Sequence, residues 1–146
     1  MEIEIRPLEC KDLDRVCELE SLSFSMPWKK EDFEELISAD ESTYLVIAAD
    51  GKVVGTAGYT FNGFEGYVNN VVIDEEFRGN GLGKKLMEAL IADGIGKGIK
   101  EYTLEVRVSN DAANRLYESL GFVNEGVRKN FYEKPVEDAY VRWLRY

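Results

Sequence analysis

Two stretches of this sequence hold residue types that could do chemistry together. The first is Arg78-Gly79-Asn80-Gly81-Leu82-Gly83-Lys84, set between a strand-like run ending at Ile73 and an amphipathic run of helical spacing. Glycines let the backbone turn tightly and come close to a ligand. The N–H groups of a helix start, with the positive end of its dipole, attract anions. Arg78 and Lys84 add positive charge, so a pyrophosphate is the natural guest, with a plain structural turn as the alternative. Spacing removes two nucleotide readings. A P-loop needs Gly-Lys-Ser/Thr, but Gly83-Lys84 is followed by Lys85. The dinucleotide pattern G-x-G-x-x-G fails as well, because Gly79, Gly81 and Gly83 alternate and no strand–helix–strand unit surrounds them.

The second stretch is Leu104-Glu105-Val106-Arg107-Val108-Ser109-Asn110, followed by Ala113 and Leu116-Tyr117-Glu118-Ser119-Leu120-Gly121-Phe122. Strand alternation puts Tyr102, Leu104 and Val106 on one face and Thr103, Glu105 and Arg107 on the other. A strand between two helix-bearing segments is expected to be central, so Glu105 is a candidate general base in a partly buried place. The competing reading is an ordinary charge paired with Arg107 across a solvated face. Tyr117 is either a core aromatic beside Leu116 and Leu120 or a proton donor. The chain has no histidine, which removes Ser-His-Asp and Cys-His nucleophiles and most zinc sites, and no metal is expected. Cys10 and Cys17, if helical, would stand about 10 Å apart, beyond the roughly 7 Å limit for a disulfide. They read as small buried or capping residues. Neither lies in the two motifs, so direct transfer without a covalent acyl-enzyme is expected.

The elements that must position these groups follow from pattern. With 146 residues, 45% of them hydrophobic, the chain fits one domain over residues 1–146. No apolar run approaches the roughly 20 residues of a membrane span, and the start alternates like a strand rather than a signal peptide. A cytoplasmic protein away from membranes is expected. The net charge of −10, from 28 acidic and 18 basic residues, argues against nucleic acid as a partner and leaves a basic protein or peptide plausible. The acidic run Glu31, Asp32, Glu34, Glu35 is either a solvated helix face or an attractor for such a substrate. Periodicity gives a strand at Glu2 to Arg6, a helix from about Lys11 to Leu22 with Leu13, Val16, Leu19 and Leu22 on its apolar stripe, and a second helix to about Ala39 that buries Phe33, Leu36 and Ile37. Strands follow at Tyr44 to Ala49, Val53 to Phe61 and Tyr67 to Ile73, the first two joined by the hairpin signal Asp50-Gly51. A long helix carries Leu82, Leu86, Ala89 and Leu90 and ends among Gly94, Gly96 and Gly98. Then come a strand at Tyr102 to Val106, a helix at Asp111 to Leu120, and strands near Phe122 to Val127 and Asp138 to Leu144. The order β-α-α-β-β-β-α-β-α-β-β is an α+β arrangement with a mixed sheet.

The two motifs together resemble the GNAT superfamily of N-acetyltransferases. Phe24 to Trp28 with Phe33, Arg128-Lys129-Asn130-Phe131-Tyr132 and Glu137-Asp138-Ala139 narrow the resemblance to protein N-terminal acetyltransferases, in particular the ribosomal-protein-alanine branch. The resemblance runs nearly end to end. It implies a mostly antiparallel mixed sheet with helices on both faces, and acetyl-coenzyme A as donor. The backbone of Val71, Val72 and Ile73 would pair with the pantetheine arm, Arg78, Gly79, Asn80, Gly81, Leu82, Gly83 and Lys84 would hold the pyrophosphate, and Asn110 would bond the coenzyme. Glu105 would be the base and Tyr117 the acid, while Met26, Pro27, Trp28, Phe131 and Tyr132, with Tyr67 as a weaker candidate, would line the peptide entrance. The sequence departs from the family in having no histidine on the strand of Glu105, and in Lys29 where serine or asparagine commonly caps the second helix.

The absence of histidine suits one substrate class. At pH 7 an α-amine needs about 1.4 kcal/mol to lose its proton and a lysine roughly 4.6 kcal/mol, so one carboxylate suffices for a protein N-terminus, for example the alanine of a basic ribosomal protein. A small amine as acceptor, or a non-catalytic subunit that binds acyl-coenzyme A, are the alternatives.

Overall fold

Alternation within a single strand shows how the sheet is covered. In the computed structural model, which describes residues 1–23, 28–37 and 40–145, strand β2 (Ser42–Ala49) sends Leu45, Ile47 and Ala49 into one core and Tyr44 and Val46 into another. The two cores therefore lie on opposite faces of the sheet. The larger is closed by α3 (Leu82–Gly96) through Leu82, Leu86, Met87 and Leu90, and by α4 (Asp111–Ser119) through Tyr117. The smaller is closed by α1 (Leu13–Ser23) through Leu13, Val16 and Leu19, and by α2 (Lys30–Ile37) through Phe33. The remaining strands are β1 (Ile3–Pro7), β3 (Lys52–Asn62), β4 (Glu65–Ile73), β5 (Glu101–Arg107), β6 (Val123–Tyr132) and β7 (Glu137–Arg145). They form one seven-stranded sheet in the order β1-β2-β3-β4-β5-β7-β6. The element order and the helices on both faces are those expected from the sequence.

One pair of strands is parallel, β4 with β5, and it is short. Its register covers Glu65↔Glu101, Gly66↔Tyr102 and Tyr67↔Thr103 and then stops. Both strands continue, β4 against β3 up to Ile73↔Gly55 and β5 against β7 up to Arg107↔Ala139. Between Gly58↔Asn69 and Thr56↔Val72 the β3–β4 register slips, with an extra residue on β4. A bulge of this kind bends its strand and increases the local twist. Here it turns β4 away from β5, and the sheet forks.

Several sequence expectations shift in detail. Leu22 is exposed and Glu20 is buried in its stead: on a helix, Leu13, Val16 and Glu20 form one stripe, and Leu22 falls about 120° from Val16. The first helix begins at Leu13, after a 3-10 turn at Cys10–Asp12. Cys10 is exposed there rather than buried, and Cys17 is half-buried. Strand β6 reaches Tyr132 instead of ending at Val127; its exposed face carries no apolar alternation, so its length is set by pairing with β7. The second helix is described to Ile37, and the Leu36 side chain lies outside the described residues. The acidic residues Glu31, Asp32, Glu34 and Glu35 are all exposed. Among the described residues no helix is long and apolar enough to cross a membrane.

Tyr102 locks the parallel pair to the helix above it. Its side chain is fully buried, and its hydroxyl donates to the Ile91 carbonyl at 2.8 Å. A Cβ on Gly94 would stand 1.7 Å from that hydroxyl, and one on Gly66 would stand 2.9 Å from the ring. Both glycines thus make room for one aromatic. Gly94→Ala should displace the Tyr102 hydroxyl and cost about 1–3 kcal/mol, despite the better helix propensity of alanine. Urea unfolding measures this; a variant as stable as the parent would show that the ring has somewhere else to go.

Candidate active site

The fork opens into a cleft of about 920 Å³. Its walls come from β4 (Tyr67, Val68, Asn69, Val71), β5 (Leu104 to Arg107), the loop and first turns of α4 (Ser109, Asn110, Ala113, Tyr117), the 131–137 segment, and Glu20 with Trp28. Strand alternation sends Glu105 into the cleft, while Tyr102, Leu104 and Val106 are buried in the main core. The Glu105 side chain is only 8% exposed. Its Oε2 accepts a hydrogen bond from the Tyr67 hydroxyl, and its Oε1 lies 3.7 Å from Nε of Arg128. Burial, and then the bond to Glu105, hold the Tyr67 phenol well above the usual tyrosine range. Arg107 does not take Glu105 as its partner. It pairs with Glu137 at 3.1 Å and donates to the carbonyls of Pro135 and Glu133, each at 3.0 Å. Its guanidinium also lies 4.4 Å from the centre of the Tyr132 ring. Arg107 thereby ties the 133–137 segment to β5, and leaves the carboxylate facing the cleft.

Helix α4 begins at the far side of the fork. Asn110 caps it, its side-chain oxygen accepting from the Ala113 N–H at 3.1 Å. Asn114, one turn on, donates to the carbonyls of Arg107 and Asn110 at 3.2 and 3.0 Å and accepts from Nε of Arg142 at 3.0 Å. This fixes the helix start to the end of β5. The result is that Tyr117 enters the cleft from above while packing edge-on against Phe122, ring centres 5.8 Å apart. Burial, followed by the nearby Tyr132, raises the Tyr117 phenol well above its ordinary value. Tyr132, half-buried, is pushed up to about 12 by burial and then by Glu105. Phe131 meets the Tyr132 ring edge-on at 5.0 Å.

The glycine turn lies beyond the cleft, and its residues are not part of the cleft lining. Gly79 and Gly81 have φ of 83° and 72°, left-handed values that glycine adopts without strain, and a Cβ at either would meet nothing within 4 Å. Lys85 N–H bonds to Gly81 O at 3.2 Å, so the amides of Leu82, Gly83 and Lys84 precede the first intrahelical bond. No side-chain hydrogen bond caps this helix end among the described residues. Arg78 donates from Nε to the Ile73 carbonyl at 3.2 Å, and Asn80 donates to the Phe77 carbonyl at 3.1 Å, so both side chains shape the turn itself. Gly83 abuts Ile73 and Leu116, which sets the turn at the top of the fork between β4 and α4.

The profile of the Acetyltransferase (GNAT) family matches residues 13–122. The chain belongs to this family. As such it is an N-acetyltransferase. It is 34% identical over 137 residues to the [ribosomal protein bS18]-alanine N-acetyltransferase of Escherichia coli strain K12, covering 92% of this chain and 89% of that one. It is 33% identical over 144 residues to the N-alpha-acetyltransferase RimI of Mycobacterium tuberculosis, covering 94% and 89%. Its fold superposes on the crystal structure of the ribosomal-protein-S18-alanine N-acetyltransferase from Escherichia coli with a TM-score of 0.90 and 31% identity, covering 99% of this chain and 94% of that one.

In this acetyltransferase the fork gathers Glu105, Tyr117, Asn110, Val71, Tyr67, Trp28, Phe131 and Tyr132 around one space. Met26 and Pro27 lie outside the described residues. Trp28 serves two purposes, since it lines the cleft and also packs on Phe33 at 5.4 Å and Tyr44 at 6.1 Å. The cap expected to be missing at Lys29 comes from Asp32 instead: its carboxylate accepts the Lys29 N–H at 2.9 Å, and its own N–H donates to the Lys29 carbonyl at 3.0 Å. Sequence reasoning passed over Glu20, Asn69 and Asn114 as site residues. The acid at position 20 on an otherwise apolar stripe was the signal that could have found the first. Replacing Asn110 with alanine removes a helix cap and should cost about 1 kcal/mol of stability, read by urea unfolding, whereas Asn110→Asp should stay within a few tenths of the parent.

Proposed function

We propose that this acetyltransferase moves the acetyl group of acetyl-coenzyme A to the α-amino group of a protein, the N-terminal alanine of a basic ribosomal protein being the best candidate. The observation that carries this reading is the fork, which holds a nearly buried carboxylate and a buried phenol in one cleft between β4 and β5. The sequence relatives named above act on ribosomal protein bS18 by their names, which supports the protein-terminus reading over a small amine. No metal enters the reading.

The residues present suit the coenzyme. The edge of β4 beyond Tyr67 has lost β5 as its partner, so backbone groups around Val71, Val72 and Ile73 can pair with an extended amide-bearing arm as an added strand does. The uncapped amides at the start of α3, the open space at Gly79 and Gly81, and the charges of Arg78 and Lys84 suit a pyrophosphate. Asn110, at the start of α4, is positioned between these two regions and the cleft. When bound, acetyl-coenzyme A supplies the reactive acetyl thioester.

The chain's own groups then manage protons. Glu105 takes the proton from the incoming ammonium, which frees the nitrogen lone pair for attack. For an α-amine this asks only about 1.4 kcal/mol at pH 7. Tyr67 holds the Glu105 carboxylate in place through its hydroxyl. Tyr117 donates to the sulfur as the carbon–sulfur bond breaks. Because its phenol is raised by burial, it keeps its proton over the whole neutral and mildly alkaline range, and hydrogen-bond donation is its main contribution. Arg107, by holding the 133–137 segment, keeps Tyr132 and Phe131 over the acceptor side. That assignment rests on a cation–ring contact and three hydrogen bonds rather than on any contact with substrate.

Peptides with free and with blocked N-termini test the reading. Acetylation should be confined to the free ones by mass spectrometry, and equal turnover of both would end it. Glu105→Gln should lower kcat about 100-fold, with coenzyme binding unchanged by calorimetry. Tyr117→Phe should lower kcat about 10-fold or more. A raised tyrosine is fully protonated below its folded value, so no descending limb of the kcat profile up to pH about 10 should depend on Tyr117. A limb present in the parent and lost in Tyr117→Phe would overturn the donor role.

A further inference from the structure

Helix α1 carries a carboxylate where its stripe calls for an apolar residue. Glu20 is fully buried, on the same side of the helix as Leu13 and Val16. Asp12 and Arg142, buried charges elsewhere, are explained by ion pairs with Arg6 at 2.7 Å and Glu118 at 2.9 Å. Neither reaches the fork. Glu20 does: it lines the cleft together with Trp28, Tyr67 and Asn69.

A polar floor joins it to the other wall. Tyr44 lies next to Glu20, and burial first, then Glu20 and Tyr67, raise its phenol well above the ordinary value. The Tyr44 hydroxyl donates to Oδ1 of Asn69, and Nδ2 of Asn69 donates to the Tyr67 carbonyl at 3.4 Å. The Tyr67 hydroxyl in turn donates to Glu105. The floor thus runs from α1 across β2 and β4 to β5, with a carboxylate at each end. A single proton acceptor needs only one of them.

The reaction changes the charge of its acceptor. An α-amine with a pKa near 7.7–8.0 is mostly an ammonium at pH 7, and the amide product is neutral. A carboxylate in a low-dielectric wall attracts the first strongly and has little hold on the second. We propose that Glu20 is a substrate-binding residue of the acceptor site, where its carboxylate holds the ammonium form of the incoming amino group opposite Glu105 and lets go of the neutral amide. This inference rests on the protein N-terminal reading above. It assigns the two carboxylates different work: Glu105 takes the proton, and Glu20 distinguishes substrate from product by charge.

Glu20→Gln keeps the side-chain volume and the hydrogen-bonding capacity and removes the charge. Steady-state kinetics with acetyl-coenzyme A and a free-N-terminus peptide, with the N-acetylated form of the same peptide as product inhibitor, separate the possibilities. The Michaelis constant for the peptide should rise about tenfold, as for loss of one charged hydrogen bond. The inhibition constant of the acetylated peptide should stay the same, with the effect falling on KM rather than kcat. A residue that only packs α1 would move both constants together. An unchanged KM, or KM and the inhibition constant rising in parallel, would overturn the inference. If the glutamine variant does not fold, Glu20→Asp keeps the charge with shorter reach and is judged by the same comparison. Turnover of the peptide by the parent chain tests the underlying function separately: its absence overturns that reading and this one, whereas parental turnover with an unaffected Glu20→Gln variant overturns this one alone.

Discussion

The structure depends on an interruption in main-chain hydrogen bonding. Backbone donors and acceptors within a sheet are strong groups that must be paired, and β4 and β5 satisfy one another only from Glu65↔Glu101 to Tyr67↔Thr103. Beyond that point each is supported from its outer side alone, β4 by β3 and β5 by β7. The extra residue on β4 near Asn69 supplies the bend that separates them. Everything that concerns chemistry lies along the resulting gap. A straight β4 would pair with β5 to its end, and the Glu105 side chain would face a closed sheet instead of a space.

The gap is lined by groups whose protons are held tightly. Burial is the leading cause of the raised phenols of Tyr67, Tyr117, Tyr132 and Tyr44. Raised phenols are dependable hydrogen-bond donors at neutral pH, because the anionic form is costly in a dry wall. Two carboxylates, Glu105 and Glu20, sit among them. An arrangement of neutral donors around fixed anions suits a reaction that receives a cation and ends with a neutral amide. It also accounts for the absence of histidine: when the amine to be deprotonated has a pKa near 8, a carboxylate held by a tyrosine is sufficient.

Membership of the acetyltransferase family is carried by the profile match over residues 13–122 and by relatives above 30% identity across nearly the whole chain. Within that shared framework this chain solves local problems in its own way. Asp32 supplies both halves of the cap at the start of α2 where Lys29 cannot. Arg107 leaves Glu105 to others and binds the 133–137 segment, so the aromatic pair Phe131 and Tyr132 is anchored by a cation on β5.

Local pattern was enough for the element order, the placement of Glu105 opposite Leu104 and Val106, and the glycine turn at the head of α3, because each depends on a period of two or of 3.6 residues or on backbone freedom at glycine. The family was legible too, since its two motifs are short and contiguous. Other features were decided by contacts between residues far apart in the chain. The length of β6 comes from β7, and the partner of Arg107 is Glu137, thirty positions away rather than on its own strand. Whether residue 20 or residue 22 faces inward turned on which side of α1 met the sheet. The fork itself has no signature in any single strand. A register slip is a relation between two strands, and only once β3 holds β4 does the extra residue have to bend it.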